Sequence, residues 1–85
     1  MRLGIMAYLA DTEAADFSEL KTALNATQGN LSDHLRKLED AGYVTIDKSF
    51  LNRRPLTRVR ISPAGRRAFL AYLDAIARLV QRQGP

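Results

Sequence analysis

The chain has 85 residues and a net charge of +4, with no cysteine and a single histidine. This composition excludes a disulfide framework and a thiolate metal site, and one histidine alone does not build a zinc site. No apolar run approaches the roughly 20 residues that span a bilayer, and the start of the chain lacks a secretion signal, so we expect one small cytoplasmic domain over residues 1–85.

The first third of the chain predicts two helices and the start of a third. Apolar residues recur at helical spacing over residues 3–10, and we expect residues 11–13 to break that helix. Asp16 or Ser18 can cap a second, short helix. A tight turn follows, and Thr27 is placed to cap the third helix.

The third helix is predicted over about residues 28–41. Leu31, Leu35 and Leu38 form one apolar stripe at spacings of four and three, which is typical of a face that packs on a core. Gly42 follows, where a helix end favours a left-handed residue.

Gly29 lies in the first turn of this helix, although glycine in a helix interior costs roughly 1 kcal/mol relative to alanine. Two explanations are compatible with the sequence. The glycine leaves backbone N–H groups open to a phosphate at the helix N-terminus, or it relieves crowding against the second helix.

The apolar period then changes from 3.6 to 2, which predicts a β-hairpin over about residues 43–61. Val44 and Ile46 begin one strand, residues 51–55 are expected to form a loop, and residues 57–61 return. Ser62-Pro63 is a strong helix start, and the last helix is predicted over about residues 63–81. The expected fold class is α+β and mostly helical.

Charge is segregated along the chain. Residues 1–47 hold four Lys/Arg and eight Asp/Glu, a balance of −4, whereas residues 48–85 hold nine Lys/Arg and one Asp, a balance of +8. An anionic partner and simple solubility explain this pattern about equally well. Arg66 and Arg67 begin the last helix, where cations oppose the helix dipole, and this weakly suggests an external anion.

Two stretches, NLSDHLRKLEDAGYV and RRPLTRVRISPAGRRAF, resemble MarR-like winged helix-turn-helix transcriptional regulators, closest to their minimal single-domain group. The resemblance covers roughly residues 2–75. It implies three helices, a β-hairpin wing and a C-terminal dimerisation helix. It also implies a homodimeric protein that binds double-stranded DNA, usually a repressor, with its recognition helix in the major groove and its wing at the minor groove.

The resemblance also implies a set of DNA-binding residues on the recognition helix and at the tip of the wing. These residues are Thr27, Gln28, Gly29, Asn30, Ser32, Asp33, Arg36, Lys37, Arg53 and Arg54. Members of this family often have additional helices that bind a small effector. Direct sensing is therefore uncertain for a chain with almost nothing before Leu3.

The side chains of the recognition helix suit particular contacts. Gln28 and Asn30 can read adenine, and Arg36 can read guanine. Asp33 either accepts from cytosine or holds Arg36 and Lys37 in place, and we favour the second role. Lys37 suits a phosphate contact. An ordinary solvated helix surface remains the alternative for this face.

Seven apolar residues of the last helix cover about 180° of its circumference, although packing on one core needs only about 100°. The excess predicts an isologous contact with a second subunit, which a core this small also favours. The expected dimer-interface residues are Phe69, Leu70, Tyr72, Leu73, Ile76, Leu79 and Val80.

Other functions have less support in the sequence. No nucleophile–base pair or phosphate-binding glycine loop is present, so we expect neither an enzyme nor a cofactor. His34 lies beside the leucine stripe, and we expect it to be packed and hydrogen-bonded. A protein–protein assembly module is the main alternative function, and an effector sensor in the dimer crevice stays open.

Overall fold

The computed structural model describes residues 1–83. Its elements are α1 (Arg2–Thr12), β1 (Ala14–Asp16), α2 (Phe17–Ala23), α3 (Gln28–Asp40), β2 (Val44–Leu51), β3 (Arg54–Ile61) and α4 (Pro63–Gln83). The strands form one antiparallel sheet in the order β1-β3-β2. The fold is the α+β winged helix that the sequence predicts.

The core lies between the first three helices and the inner face of the sheet. Leu31, Leu35 and Leu38 are buried, so the predicted stripe of α3 is confirmed. The fully buried large side chains around them are Ile5, Leu9, Leu20, Val44 and Val59. Each such side chain contributes about 1.5–3 kcal/mol by leaving water, and together they fix the orientation of α3 against the sheet.

The first helix continues beyond its predicted end. Asp11 and Thr12 are helical, and the Thr12 hydroxyl donates to the carbonyl oxygen of Tyr8 at 2.9 Å. The helix ends at Glu13, which adopts a left-handed φ of 69° and donates its N–H to Leu9. The prediction that residues 11–13 break the helix was therefore wrong by two residues, since Asp11 and Thr12 still belong to α1 and only Glu13 leaves it.

Strand β1 was not predicted. Its three residues are too few to show alternation, and β1 forms only because β3 offers a free edge. Ala15 pairs with Val59 at the centre of this contact, and the Ile61 N–H donates to the Glu13 carbonyl at 3.1 Å.

The predicted loop over residues 51–55 is instead a two-residue turn. Leu51 ends β2, Arg54 begins β3, and these two residues pair with each other. Asn52 and Arg53 between them have φ values of 51° and 67°. Two successive left-handed residues are the signature of a type I′ turn, which matches the twist of a hairpin.

Helix α4 starts in close contact with the base of the wing. The Ser62 hydroxyl accepts from the Gly65 N–H at 2.9 Å and donates to the Gly42 carbonyl at 2.6 Å. A Cβ at Gly65 would lie 2.1 Å from the carbonyl oxygen of Tyr43, so only glycine fits there. Beyond this anchor α4 leaves the core, and every residue over 70–82 is exposed.

Candidate nucleic-acid interface

The N-terminus of α3 is exposed and capped as predicted. The Thr27 hydroxyl accepts from the Asn30 N–H at 3.2 Å, while Gln28, Gly29 and Asn30 are all exposed. The first turn contains no acidic residue, so the positive end of the helix dipole is uncompensated there. Such a helix end is a suitable site for a phosphate.

The structure decides between the two explanations of Gly29. A Cβ built at this position meets no atom within 4 Å. The crowding explanation is therefore wrong, because neither α2 nor any other part of the chain lies close enough to Gly29 to exclude a side chain. What remains is a bare stretch of exposed backbone at the start of α3.

The middle of α3 carries an ion pair. The Lys37 ammonium lies 3.1 Å from the Asp33 carboxylate, which confirms that Asp33 holds Lys37. The hydrogen bond from Lys37 lowers the pKa of Asp33 below its ordinary value, and the positive charge of Lys37 adds to the effect. Arg36 makes no ion pair within residues 1–83, so the expectation that Asp33 also holds Arg36 was wrong.

A groove of about 440 Å³, here called the interface groove, separates α3 from the wing. Gln28, Ser32 and Arg36 line it from α3, and Lys48 and Thr57 line it from the two strands of the wing. The structure thus brings three of the predicted DNA-binding residues together with two residues that were not predicted. The two unpredicted residues are Lys48, two residues after Ile46, and Thr57, two residues before Val59. Because residues two apart in a strand share a face, strand alternation already placed both on the inner face.

The remaining predicted residues of α3 lie outside the interface groove. Asn30, Asp33 and Lys37 do not line it, and Lys37 borders a different crevice, against α1 and α4. Glu39, which was not predicted as a site residue, lines the interface groove near the end of α3. Its negative charge opposes a phosphate there, so an anion is favoured at the Gln28 end.

The tip of the wing, residues 50–55, is exposed on all sides. Arg53 and Arg54 have no ion-pair partner in the described part of the chain, whose two ion pairs both lie on helices. Arg58 differs, because its strand position is paired in register with Asp47 of β2 and Asp16 of β1, so acidic residues flank it. Arg53 and Arg54 are thus exposed cations with no ion pair in the described residues.

Arg66 does not await an external anion. Its guanidinium reaches the last turn of α1 and donates to the Ala10 carbonyl at 3.3 Å. A cation is favourable at a helix C-terminus, so Arg66 compensates the dipole of α1 and joins α4 to it. This contact accounts for a cation at the start of α4 without an external anion.

His34 is half-buried, and its Nδ1 accepts from the Arg2 Nε at 3.3 Å, as expected for a packed histidine. Among residues 1–83, no three His, Cys, Asp or Glu side chains come together in a way that could hold a metal ion. In the same range no helix is long and apolar enough to cross a bilayer.

Six of the seven predicted dimer-interface residues project from α4 into solvent. Leu70, Tyr72, Leu73, Ile76, Leu79 and Val80 are between 38% and 64% exposed. Phe69 is different, because it packs partly against the core of its own chain.

Comparison with known proteins agrees with this geometry. Residues 1–80 match the family model described as winged helix DNA-binding domain. An uncharacterized protein of Methanocaldococcus jannaschii is 42% identical over 79 residues, which span 93% of this chain and 86% of that protein.

Solved structures of transcriptional regulators have the same fold. A transcriptional regulator homologue from Pyrococcus horikoshii OT3 superposes with a TM-score of 0.92 at 33% identity, covering 99% of this chain and 83% of that one. The transcriptional regulator BldR from Sulfolobus solfataricus superposes with a TM-score of 0.75 at 25% identity, covering 95% and 57%.

These neighbours are MarR-family transcriptional regulators, as the sequence motifs suggested, and such regulators are not enzymes. The match covers the capped helix, the interface groove and the wing described above. The chain therefore belongs to the winged helix DNA-binding domain family of transcriptional regulators.

Proposed function

We propose that this protein is a cytoplasmic, homodimeric repressor that occupies promoter DNA with α3 in the major groove and the wing at the minor groove. The observation that carries the proposal is the pairing of an exposed, uncompensated N-terminus of α3 with a wing tip whose arginines have no carboxylate partner in the described residues. Both features are suited to phosphate and base edges.

In the major groove, the residues at the start of α3 read bases. Gln28 can contact adenine through N6 and N7, and Arg36, free of any ion pair in the described chain, can contact guanine O6 and N7. Asn30 is exposed near the helix start and suits adenine or phosphate. The bare backbone at Gly29 lets the helix end approach closely, while Lys37, held by Asp33, suits a phosphate.

At the minor groove, Arg53 and Arg54 are the contacts. An arginine fits a narrow minor groove, whose negative potential is enhanced. The type I′ turn projects both residues from the end of a hairpin, where DNA can reach them without displacing the core.

The exposed apolar face of α4 supports the dimer. The described chain exposes 6221 Å², whereas a compact monomer of 9.5 kDa is expected to expose roughly 5,000 Å². The excess is comparable to the roughly 800 Å² that each partner buries in a standard interface. An isologous contact through α4 would place two α3 helices about 34 Å apart on a pseudo-palindromic site.

Repression follows from occupancy. A dimer seated on promoter DNA excludes polymerase without any further contact, so this mode requires only the two surfaces described. An in vitro transcription assay on a bound promoter separates repression from activation, since an activator would raise the transcript level.

The test of DNA binding is fluorescence anisotropy on a pool of upstream fragments from the source genome, titrated with salt. We expect selective binding that weakens steeply with salt, and a shallower slope for Arg53→Ala/Arg54→Ala. An unchanged slope in the double variant would remove the wing from the mechanism. A folded dimer that binds no fragment at low salt would favour the protein–protein assembly module instead.

The dimer is tested by light scattering on Ile76→Asp, with Gln81→Glu as the matched control on the polar side of α4. We expect a monomer from the first variant and a dimer from the second. A dimeric Ile76→Asp would place the self-association surface elsewhere.

One crevice bears on a sensor role. An apolar cavity of about 350 Å³ lies between α1, the end of α3 and α4, lined by residues that include Met6, Leu38 and Tyr72. A ligand there would change how α4 sits on the DNA-reading helix. Thermal stability against a small-molecule panel tests this role, and no shift with any compound would leave the sensor role unsupported.

A further inference from the structure

The wing tip exposes apolar side chains as well as arginines. Phe50 is 77% exposed, more than any other large apolar side chain in the described chain, and Leu51 is 60% exposed. Neither belongs to the core, and both lie on the wing rather than on α4. A large aromatic side chain exposed at the end of a hairpin is therefore a candidate for contact with a binding partner.

The register of the hairpin shows which way Phe50 faces. Successive residues of a strand point to opposite faces. Val44 is buried, Ile46 is half-buried against the core, and Lys48 lines the interface groove, so Phe50 continues the same inner face. Leu51 therefore lies on the outer face, with its paired residue Arg54.

Phe50 is paired across the hairpin with Pro55. Two apolar rings thus sit side by side on the inner face of the tip, further out than Lys48 and directly before the turn that carries Arg53. Along the inner face of the hairpin, the interface groove is followed by Lys48 and then, at the tip, by the apolar pair of Phe50 and Pro55.

We propose that Phe50, supported by Pro55, packs against the deoxyribose walls of the minor groove beside Arg53 and supplies a contact that does not depend on charge. This inference rests on the proposed DNA-binding function and adds a residue to it. The walls of the minor groove are sugars, and apolar wedges are a known means by which proteins engage this groove.

The surrounding charge selects this occupant. Lys48, Arg53 and Arg54 are the basic residues nearest Phe50 along the hairpin, and residues 48–56 contain no acidic residue. A second copy of the same tip would bring two positive clusters together, and an apolar protein surface would leave those cations unpaired. A partner that offers both negative charge and apolar surface at this spacing is nucleic acid.

The experiment compares Phe50→Ala with Leu51→Ala, a neighbour of similar exposure on the opposite face, by anisotropy on the selected duplex at several salt concentrations. Losing the burial of one phenylalanine should weaken binding by about tenfold to a hundredfold, so a dimer that loses one from each subunit should bind about a hundredfold to ten-thousandfold more weakly. We expect that loss for Phe50→Ala at every salt concentration with an unchanged salt slope, a change within twofold for Leu51→Ala, and partial recovery with Phe50→Leu.

The outcomes separate this inference from the proposed function. If the wild type binds DNA and Phe50→Ala binds equally well, or if Leu51→Ala weakens binding as much, the contact assigned to Phe50 is refuted and DNA binding stands. If the wild type binds no DNA, both fail. Circular dichroism and light scattering on each variant show that fold and dimer are intact, and a loss of self-association alone in Phe50→Ala would assign the ring to a protein contact and overturn the inference.

Discussion

Replacing Arg53 with glycine should stabilise the protein. Arg53 occupies the second position of the type I′ turn with φ 67°, a left-handed conformation that costs a residue with a Cβ roughly 1–2 kcal/mol. Glycine removes this cost. Its greater conformational freedom in the unfolded chain lowers the gain in stability by about 0.4–1 kcal/mol. The net gain is about 0.5–1 kcal/mol, or roughly 2–8 °C in Tm for a domain of this size.

The same variant should bind DNA less tightly. Each phosphate contact contributes about −0.9 to the slope of log affinity against log salt, so two subunits that each lose one contact make the slope shallower by about 1.8. The loss of affinity between 50 and 200 mM salt would then be smaller by about tenfold.

The assays are thermal unfolding by circular dichroism at a fixed protein concentration and anisotropy over a salt series. Arg53→Lys is the matched control, because it keeps both the charge and the left-handed strain, and we expect its Tm and salt slope to stay close to wild type. A lower Tm for Arg53→Gly would refute the strain argument. A wild-type slope would refute the contact.

Further predictions concern stability and pH. Gly65→Ala should lower the free energy of unfolding by about 3 kcal/mol or more, since its Cβ would meet the Tyr43 carbonyl oxygen at 2.1 Å; a wild-type denaturation midpoint would contradict this close approach. Thr27→Ala should cost about 1 kcal/mol in chemical denaturation, and Thr27→Ser should restore it, because the cap is a hydroxyl. The pKa of Asp33, followed by NMR, should lie below its ordinary value and rise in Lys37→Ala; the pair's stabilisation is present above the unfolded pKa and lost as pH falls through the folded one.

The sequence predicted what depends on neighbouring residues. The stripe of Leu31, Leu35 and Leu38 follows from the helical period, and the caps at Thr27 and Ser62 follow from a hydroxyl three residues before a free N–H. Two of the failures lay where a distant element decides. Strand β1 exists only because β3 is beside it, and Arg66 satisfies a carbonyl on α1, 56 residues away in the chain.

The same division applies to the interface. The sequence by itself determined that a capped helix with a polar face is followed by a basic hairpin, because periodicity, capping and charge are local properties. Only the tertiary structure decided that Ser32 and Arg36 face Lys48 and Thr57 across one groove, while Lys37 turns toward α4. A strand period of two fixes which residues share a face, but the packing of the sheet on α3 decides what that face meets.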